Sequence, residues 1–205
     1  MNQATVWAVV PVKHLGRTKS RLAPILRFNE RAEMTLRLLN RQLQLLDQCW
    51  AIANVLVVSQ DERVQALVSS WDCDLLEESS PSDLNVAVAE GYRAVGNAAT
   101  HCLVLPSDLP LVSAEALLKL LAPLPNAVIC PDKHGSGTNA LLIPTQTDFR
   151  FRFGINSYNH HQQSFRQAHI PYQTLNLPEI AFDLDTPADW SIWQQILTPV
   201  PIPNL

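Results

Sequence analysis

"VWAVVPVKHLGRTKSRLA", Val6 to Ala23, begins as a run of β-branched and apolar residues and then turns basic. The run Val6 to Val12 reads as a short buried strand. After the basic stretch, "NERAEMTLRLLNRQLQLLDQ" carries Ala32, Leu36, Leu39, Leu43 and Leu46 at three- and four-residue steps, the period of an amphipathic helix, with Asn29 as the expected cap. A strand, a loop and a helix in that order form the first half of a βα unit, and the rest of the chain continues it.

"NVLVVS" is a second strand, "DERVQALVSSW" a helix and "CDLLEE" a short strand. "DLNVAVAEGYRAV" is a helix started by Asp83 or Ser82. "HCLVLPSDLP" is a strand running into an acidic turn, and "SAEALLKLLAPL" a helix capped by Ser113. "NAVICPD" and "TNALLIP" are strands, "YNHHQQSFRQAHI" a helix, "YQTLNL" a strand and "TPADWSIWQQIL" the closing helix. That helix has Thr186 before it and Pro187 in its first turn. Alternation of this kind predicts an α/β fold: one domain over residues 1–205, a mostly parallel sheet and helices on both faces in three α/β/α layers. No linker or repeat divides the chain, and residues 198–205 form a proline-rich tail.

The composition narrows the function. Hydrophobic residues make up 47% and charged residues 17%, with a net charge of -4 and a pI near 5.8. Such a surface does not suggest nucleic-acid binding. No apolar run approaches the ~18 residues of a membrane span, and "MNQATVWAVVPVK" does not read as a signal peptide. Cys49, Cys73, Cys102 and Cys130 form no C-x-x-C pair and read as free buried thiols, which suits a cytoplasmic setting.

Ligands of such folds bind at the carboxyl ends of the strands. The first strand ends in a loop with Lys13, Arg17, Lys19 and Arg21, suited to a polyphosphate or simply solvated. Neither a P-loop nor a G-x-G-x-x-G is present. "LVLPSDLPLV" places Asp108 after an apolar run, as a ligand or a turn former. In "FDLDTP", Phe182 to Pro187, Asp183 and Asp185 point to one face if the segment is extended, and they repel unless a cation lies between them. Three aspartates opposite a basic loop suit Mg²⁺, with Mn²⁺ as the alternative, shared between carboxylates and substrate phosphates.

"HGSGTNALLIP" offers two glycines for close backbone approach, or a plain turn. "FRFGINSYNHH" sets Gly154 and Ser157 ahead of a helix start, where an anion can bind. His160 and His161, adjacent on a helix, point about 100° apart and are poor metal co-ligands. Trp190 and Trp193 read as core residues.

"VVPVKHLGRTKSRLA", "LPSDLPLV", "GSGTNALLIP", "FRFGINS" and "LDTPADW" together resemble the CofC/FbiD family, over about Val6 to Trp190. The resemblance implies a glycosyltransferase-A-like nucleotidyltransferase fold and a guanylyltransferase of coenzyme F420 biosynthesis. Such an enzyme joins GMP from GTP to the phosphate of a phosphorylated three-carbon acid: 2-phospho-L-lactate, phosphoenolpyruvate or 3-phospho-D-glycerate. It implies Asp108, Asp183 and Asp185 as metal ligands, and Lys19, Arg21 and Asp108 as catalytic groups. Pro11, Lys13, Lys19, Arg21 and Asn85 would bind the nucleotide, and Thr138, Gly154 and Ser157 the acceptor carboxylate. It leaves room for a homodimer and for hand-off to the next enzyme of the pathway.

The chain departs from the family in places. It reads "FGINS" where the family commonly reads F-G-P-G-S, "PSDLN" where glycine is more usual, and His14 where proline is usual. Two other readings remain beside this one. One is a relative using another base or acceptor, such as molybdopterin or a sugar phosphate. The other is a nucleotide-binding protein that has lost catalysis.

Overall fold

The computed structural model describes residues 4–79 and 83–197. Ser82 and the tail at 198–205 lie outside the described residues. The chain runs β1 (Val6–Pro11), α1 (Phe28–Asp47), β2 (Asn54–Val58), α2 (Glu62–Val68), β3 (Asp74–Leu76), α3 (Leu84–Val95) and β4 (His101–Val104). It continues with α4 (Ala114–Leu121), β5 (Ala127–Pro131), β6 (Thr138–Pro144), α5 (Ser157–Gln167), β7 (Tyr172–Thr174), α6 (Pro178–Ala181) and α7 (Pro187–Leu197). Two single-turn 3-10 helices, Leu15–Arg17 and Ser20–Leu22, shape the basic loop.

The strands form one sheet in the order β3-β2-β1-β4-β6-β5-β7. β1 pairs in parallel with β2 and β4, β2 with β3, and β5 with β7, while β6 is antiparallel to both β4 and β5. Among these strands β6 alone opposes the common direction. Its first residues, Thr138 and Asn139, therefore sit at the edge where the parallel strands end. That reversal brings "GTN" to the same place as Asp108 and the basic loop.

The expected three layers are present. Val6, Ala8 and Val10 of β1 join Leu39, Leu43 and Leu46 of α1 and Leu117 and Leu120 of α4 in one buried cluster. Val9 joins Leu56 and Val58 of β2, Val88 and Tyr92 of α3 and Phe165 of α5 in the other. β1 is buried on both faces, which is why its run is apolar throughout rather than alternating. Gly91 lets α3 approach the sheet: a Cβ there would come 2.7 Å from Val9 Cγ1 and 2.9 Å from Val58 Cγ2. Among the described residues no helix is long and apolar enough to cross a membrane.

The start of α1 corrects the expected cap. Asn29 lies inside the helix, and Arg27 precedes it. Glu30 reaches back so that its Oε2 accepts the Arg27 amide at 2.7 Å, supplying from the third helical residue the partner a cap would provide. Asp83 and Ser113 cap α3 and α4 as expected, accepting from the amides of Asn85 and Ala116. Helix α6, a single turn, was not expected.

Candidate functional site

A third apolar cluster lies beneath the site. Leu22 of the basic loop, Met34 and Leu38 of α1, and Leu184 of "FDLDTP" are buried together, with Trp190 and Trp193 against them. The segment Phe182 to Asp185 is extended but belongs to no strand. Its period of two puts Phe182 and Leu184 inward and leaves Asp183 and Asp185 half-buried on the other side. The Leu184 amide donates to Asp108 O at 3.0 Å, tying the segment to the turn after β4. Further back, the Asn139 side chain donates to Ile180 O and Ala181 O at 3.0 and 3.1 Å.

Above this cluster is one cavity of about 480 Å³. Pro11, Lys13, Lys19, Arg21, Asp108, Thr138, Gly154, Ser157, Asp183 and Asp185 all line it. Five separate chain segments thus bring the sequence-derived candidates together. Asn85 is the exception. Its Oδ1 accepts the Phe153 amide at 2.6 Å and its Nδ2 donates to Phe153 O at 3.2 Å. Both ends of the amide are committed to holding the 149–154 segment against α3, so Asn85 buttresses the wall rather than facing the cavity.

The cation beside the aspartates is a lysine. Lys19 Nζ lies 2.7 Å from Asp108 Oδ2 and 2.7 Å from Asp185 Oδ1, with only 6% of its side chain exposed. Its backbone is left-handed at φ 50, an uncommon state for a side-chain-bearing residue and one found at functional sites. Burial alone would lower the pKa of this ammonium, but the charges of Asp108 and Asp185 outweigh it and raise the pKa above the usual lysine value. Burial pulls Asp185 upward, and Lys19 with Arg21 more than offsets it, leaving the pKa lowered. Arg21 Nη1 is 3.7 Å from Asp185 Oδ2.

A second lysine, Lys133, was not anticipated. Its Nζ is 2.5 Å from Asp189 Oδ1, 3.1 Å from Asp183 O and 3.4 Å from Asp183 Oδ1, and lies over the Phe182 ring. Asp189 is itself buried and accepts from the amides of Asp185 and Thr186 and from the Thr186 hydroxyl. The signal for it was in the sequence: T-P-A-D, residues 186–189, is a capping box. Asp183 remains the poorly compensated member. Burial first, then the charge of Asp108, hold its pKa up despite Lys133.

The part of the cavity around Thr138 rests on His161, which is fully buried. The Arg152 amide donates to its Nε2 at 2.9 Å, so that nitrogen carries no proton. The neutral ring then has its proton on Nδ1, 3.0 Å from Thr138 Oγ1, and donates to it. Thr138 keeps its own hydroxyl proton for the cavity. Burial, with His160 and Arg152 as lesser causes, lowers the His161 pKa to about 3. In the same cavity lining, Gly154 sits at φ 122, where a side chain would be strained, and Ser157 begins α5, whose N-terminal dipole favours an anion. Asn156 adopts φ 58, a left-handed state that Asn tolerates better than most residues. Ile155 is 96% exposed beside it.

Among the described residues no three His, Cys, Asp or Glu side chains are gathered as a ready metal cage. The four cysteines are unpaired. Cys49, Cys102 and Cys130 are buried and Cys73 is partly exposed.

The family model for guanylyl transferases of the CofC-like type matches residues 6–193. The phosphoenolpyruvate guanylyltransferase of Rubrobacter xylanophilus is 39% identical over 189 residues, covering 90% of this chain and 91% of that protein. The 3-phospho-D-glycerate guanylyltransferase of Colwellia psychrerythraea is 29% identical, over 94% of this chain and 92% of that protein. The structure of 4-diphosphocytidyl-2C-methyl-D-erythritol synthase from Anaerococcus prevotii superposes with a TM-score of 0.66 at 12% identity, over 95% of this chain and 98% of that one. The last similarity is one of fold.

Proposed function

Because the chain belongs to the guanylyl transferase CofC-like family, we propose that it transfers a guanylyl group from GTP to phosphoenolpyruvate or its close analogue 2-phospho-L-lactate. We read this as a cytoplasmic step of coenzyme F420 biosynthesis. The observation that carries the reading is Lys19, buried between Asp108 and Asp185 in a cavity that Thr138 and Ser157 also line.

In the reaction an oxygen of the acceptor phosphate attacks the α-phosphorus of GTP. A new P–O bond forms, the bond from that phosphorus to the α,β-bridging oxygen breaks, and pyrophosphate leaves with the electron pair. The attacking oxygen is already anionic, so no general base is required. Accordingly, the fully buried His161 serves structure rather than proton transfer. What opposes the reaction is repulsion between two polyanions. Lys13, Lys19 and Arg21 supply positive charge along one wall. The Thr138 hydroxyl and the start of α5 at Ser157 orient the acceptor carboxylate on the other. Gly154 keeps that wall free of a side chain.

The donor set fits Mg²⁺. It consists of hard carboxylate oxygens, Asp183 is short of positive charge, and Mg²⁺ needs only one or two carboxylates when phosphates complete its shell. Mg²⁺ or Mn²⁺ held by Asp108, Asp183 and Asp185 would, when bound, neutralise the phosphates and the charge that develops on the leaving group. Lys19 would then be available to the phosphates. The test is Lys19→Met in a pyrophosphate-release assay. We expect a fall of at least ~100-fold, the scale of losing one charge-stabilising group, with an unchanged far-UV circular dichroism spectrum. A wild-type rate would refute the role.

The Colwellia relative keeps 3-phospho-D-glycerate as a second acceptor to test. It shares the phosphate and carboxylate that this site is built to hold.

A further inference from the structure

Glu78 follows β3 and is only 5% exposed, yet its Oε1 has no hydrogen-bond partner among the described residues. A buried carboxylate oxygen without a donor is costly, so such a group invites a ligand. Its backbone is pinned from two sides: Gln60 Nε2 donates to Glu78 O, and Glu90 Oε2 accepts the amide of Ser79 at 3.0 Å. Burial and the charge of Glu90 raise its pKa, against the opposing pull of His14 and Lys13.

Glu78 lines a small pocket with Pro11, Val12, Lys13, Asp83, Leu84 and Ala87. Pro11, Val12, Lys13 and Leu84 also line the main cavity, so the pocket is a side chamber of it. The chamber holds only about 10 Å³, room for the edge of a ring and not for its body. Its walls are largely apolar, as a planar base requires, and Lys13 connects it to the phosphate side. Asp83 spends its Oδ1 on the Asn85 amide at 2.8 Å, and of the two carboxylates it is Glu78 that carries a buried oxygen with no partner among the described residues.

We infer that the Glu78 carboxylate reads the N1–H and N2–H₂ edge of guanine, with the purine body lying in the main cavity. This rests on the nucleotidyl-transfer reading above. A carboxylate presents two acceptors side by side, and guanine presents two donors side by side on that edge. Adenine and cytosine each set a ring-nitrogen acceptor beside their amino group, which would face a carboxylate oxygen lone pair to lone pair. Selection therefore comes from repulsion of the wrong base as well as attraction of the right one.

The test is equilibrium binding of GTP, ITP, 1-methyl-GTP and ATP to wild type and to Glu78→Gln, without acceptor. Inosine lacks the N2 amino group, and methylation removes N1–H. Wild type should bind ITP about 10-fold more weakly than GTP, and 1-methyl-GTP and ATP at least 100-fold more weakly, because charge-assisted hydrogen bonds carry the contact. Glu78→Gln should weaken GTP binding about 10- to 100-fold and narrow the gap between GTP and ITP. Its melting temperature should equal or exceed that of wild type, since an unpaired buried charge is removed. Equal binding of GTP, ITP and 1-methyl-GTP by wild type would overturn the inference without recourse to any variant. So would full guanine preference in Glu78→Gln. A wild-type protein that binds ATP in preference to GTP would instead sink guanylyl transfer itself.

Discussion

Replacing His161 by Phe separates the hydrogen bonds of this ring from its packing. The new ring keeps the aromatic contacts with Phe149 and Phe153, whose centroids lie 5.9 and 4.7 Å from that of His161. Lost are the acceptor for the Arg152 amide and the donor to Thr138. An unpaired buried amide costs about 1–3 kcal/mol, and each kcal/mol lowers the melting temperature of a chain this size by about 2–4 °C. The substitution should therefore lower it by about 2–12 °C at pH 7.

The pH dependence is sharper. Folded His161 has a pKa near 3 and the unfolded side chain about 6.5. Because the folded value is depressed, the unfolded chain takes up a proton first as pH falls below about 6.5. Stability present at neutral pH is then lost on acidification down to about 3. Between pH 7 and pH 5 the loss is about 2 kcal/mol, and any folded value below about 4 gives nearly the same figure. Urea unfolding of wild type and His161→Phe at pH 7, 6 and 5 should show their stability gap shrinking by about 2 kcal/mol. Parallel profiles would mean that folded His161 accepts a proton freely, and the hydrogen-bond direction assigned to Thr138 would be wrong.

Asp108→Asn and Asp183→Asn should each abolish pyrophosphate release while retaining the circular dichroism spectrum; full rates in both would remove the metal assignment. Gly91→Ala should cost about 1–3 kcal/mol by overpacking α3 against Val9 and Val58, seen in urea unfolding, with activity per folded molecule retained. Asp189→Ala removes the partner of Lys133 and the acceptor for three donors of Asp185 and Thr186. We expect a stability loss on the order of 3 kcal/mol together with reduced turnover, because Asp185 is no longer anchored; thermal melts and steady-state rates check both.

How far the site could be read from sequence depends on how local each signal is. The βα alternation and the acidic and basic strand ends are local, so the fold and all the lining candidates except Asn85 were legible. The direction of β6 is not local: "TNALLIP" reads as a strand either way, and only pairing with β4 and β5 turns Thr138 toward the site. Lys133, between "NAVICPD" and "HGSGTNALLIP", drew no reading from the sequence. Its role depends on α6 and "FDLDTP" returning to it nearly fifty residues later, as the bond from its amide to Ala181 O at 2.8 Å shows. His161 drew notice only as a poor metal co-ligand, because its value lies in Arg152 and Thr138, which are remote in sequence. The buttressing bonds of Asn85 were hidden for the same reason: its partner Phe153 is 68 positions away.

The central claim is tested most directly by pyrophosphate release from the purified protein with GTP and Mg²⁺, comparing phosphoenolpyruvate, 2-phospho-L-lactate and 3-phospho-D-glycerate as acceptors. The site described predicts release that requires GTP and one of the first two acids, matched by formation of the guanylylated acid. No release with any of the three, or equal release without an acceptor, would contradict it.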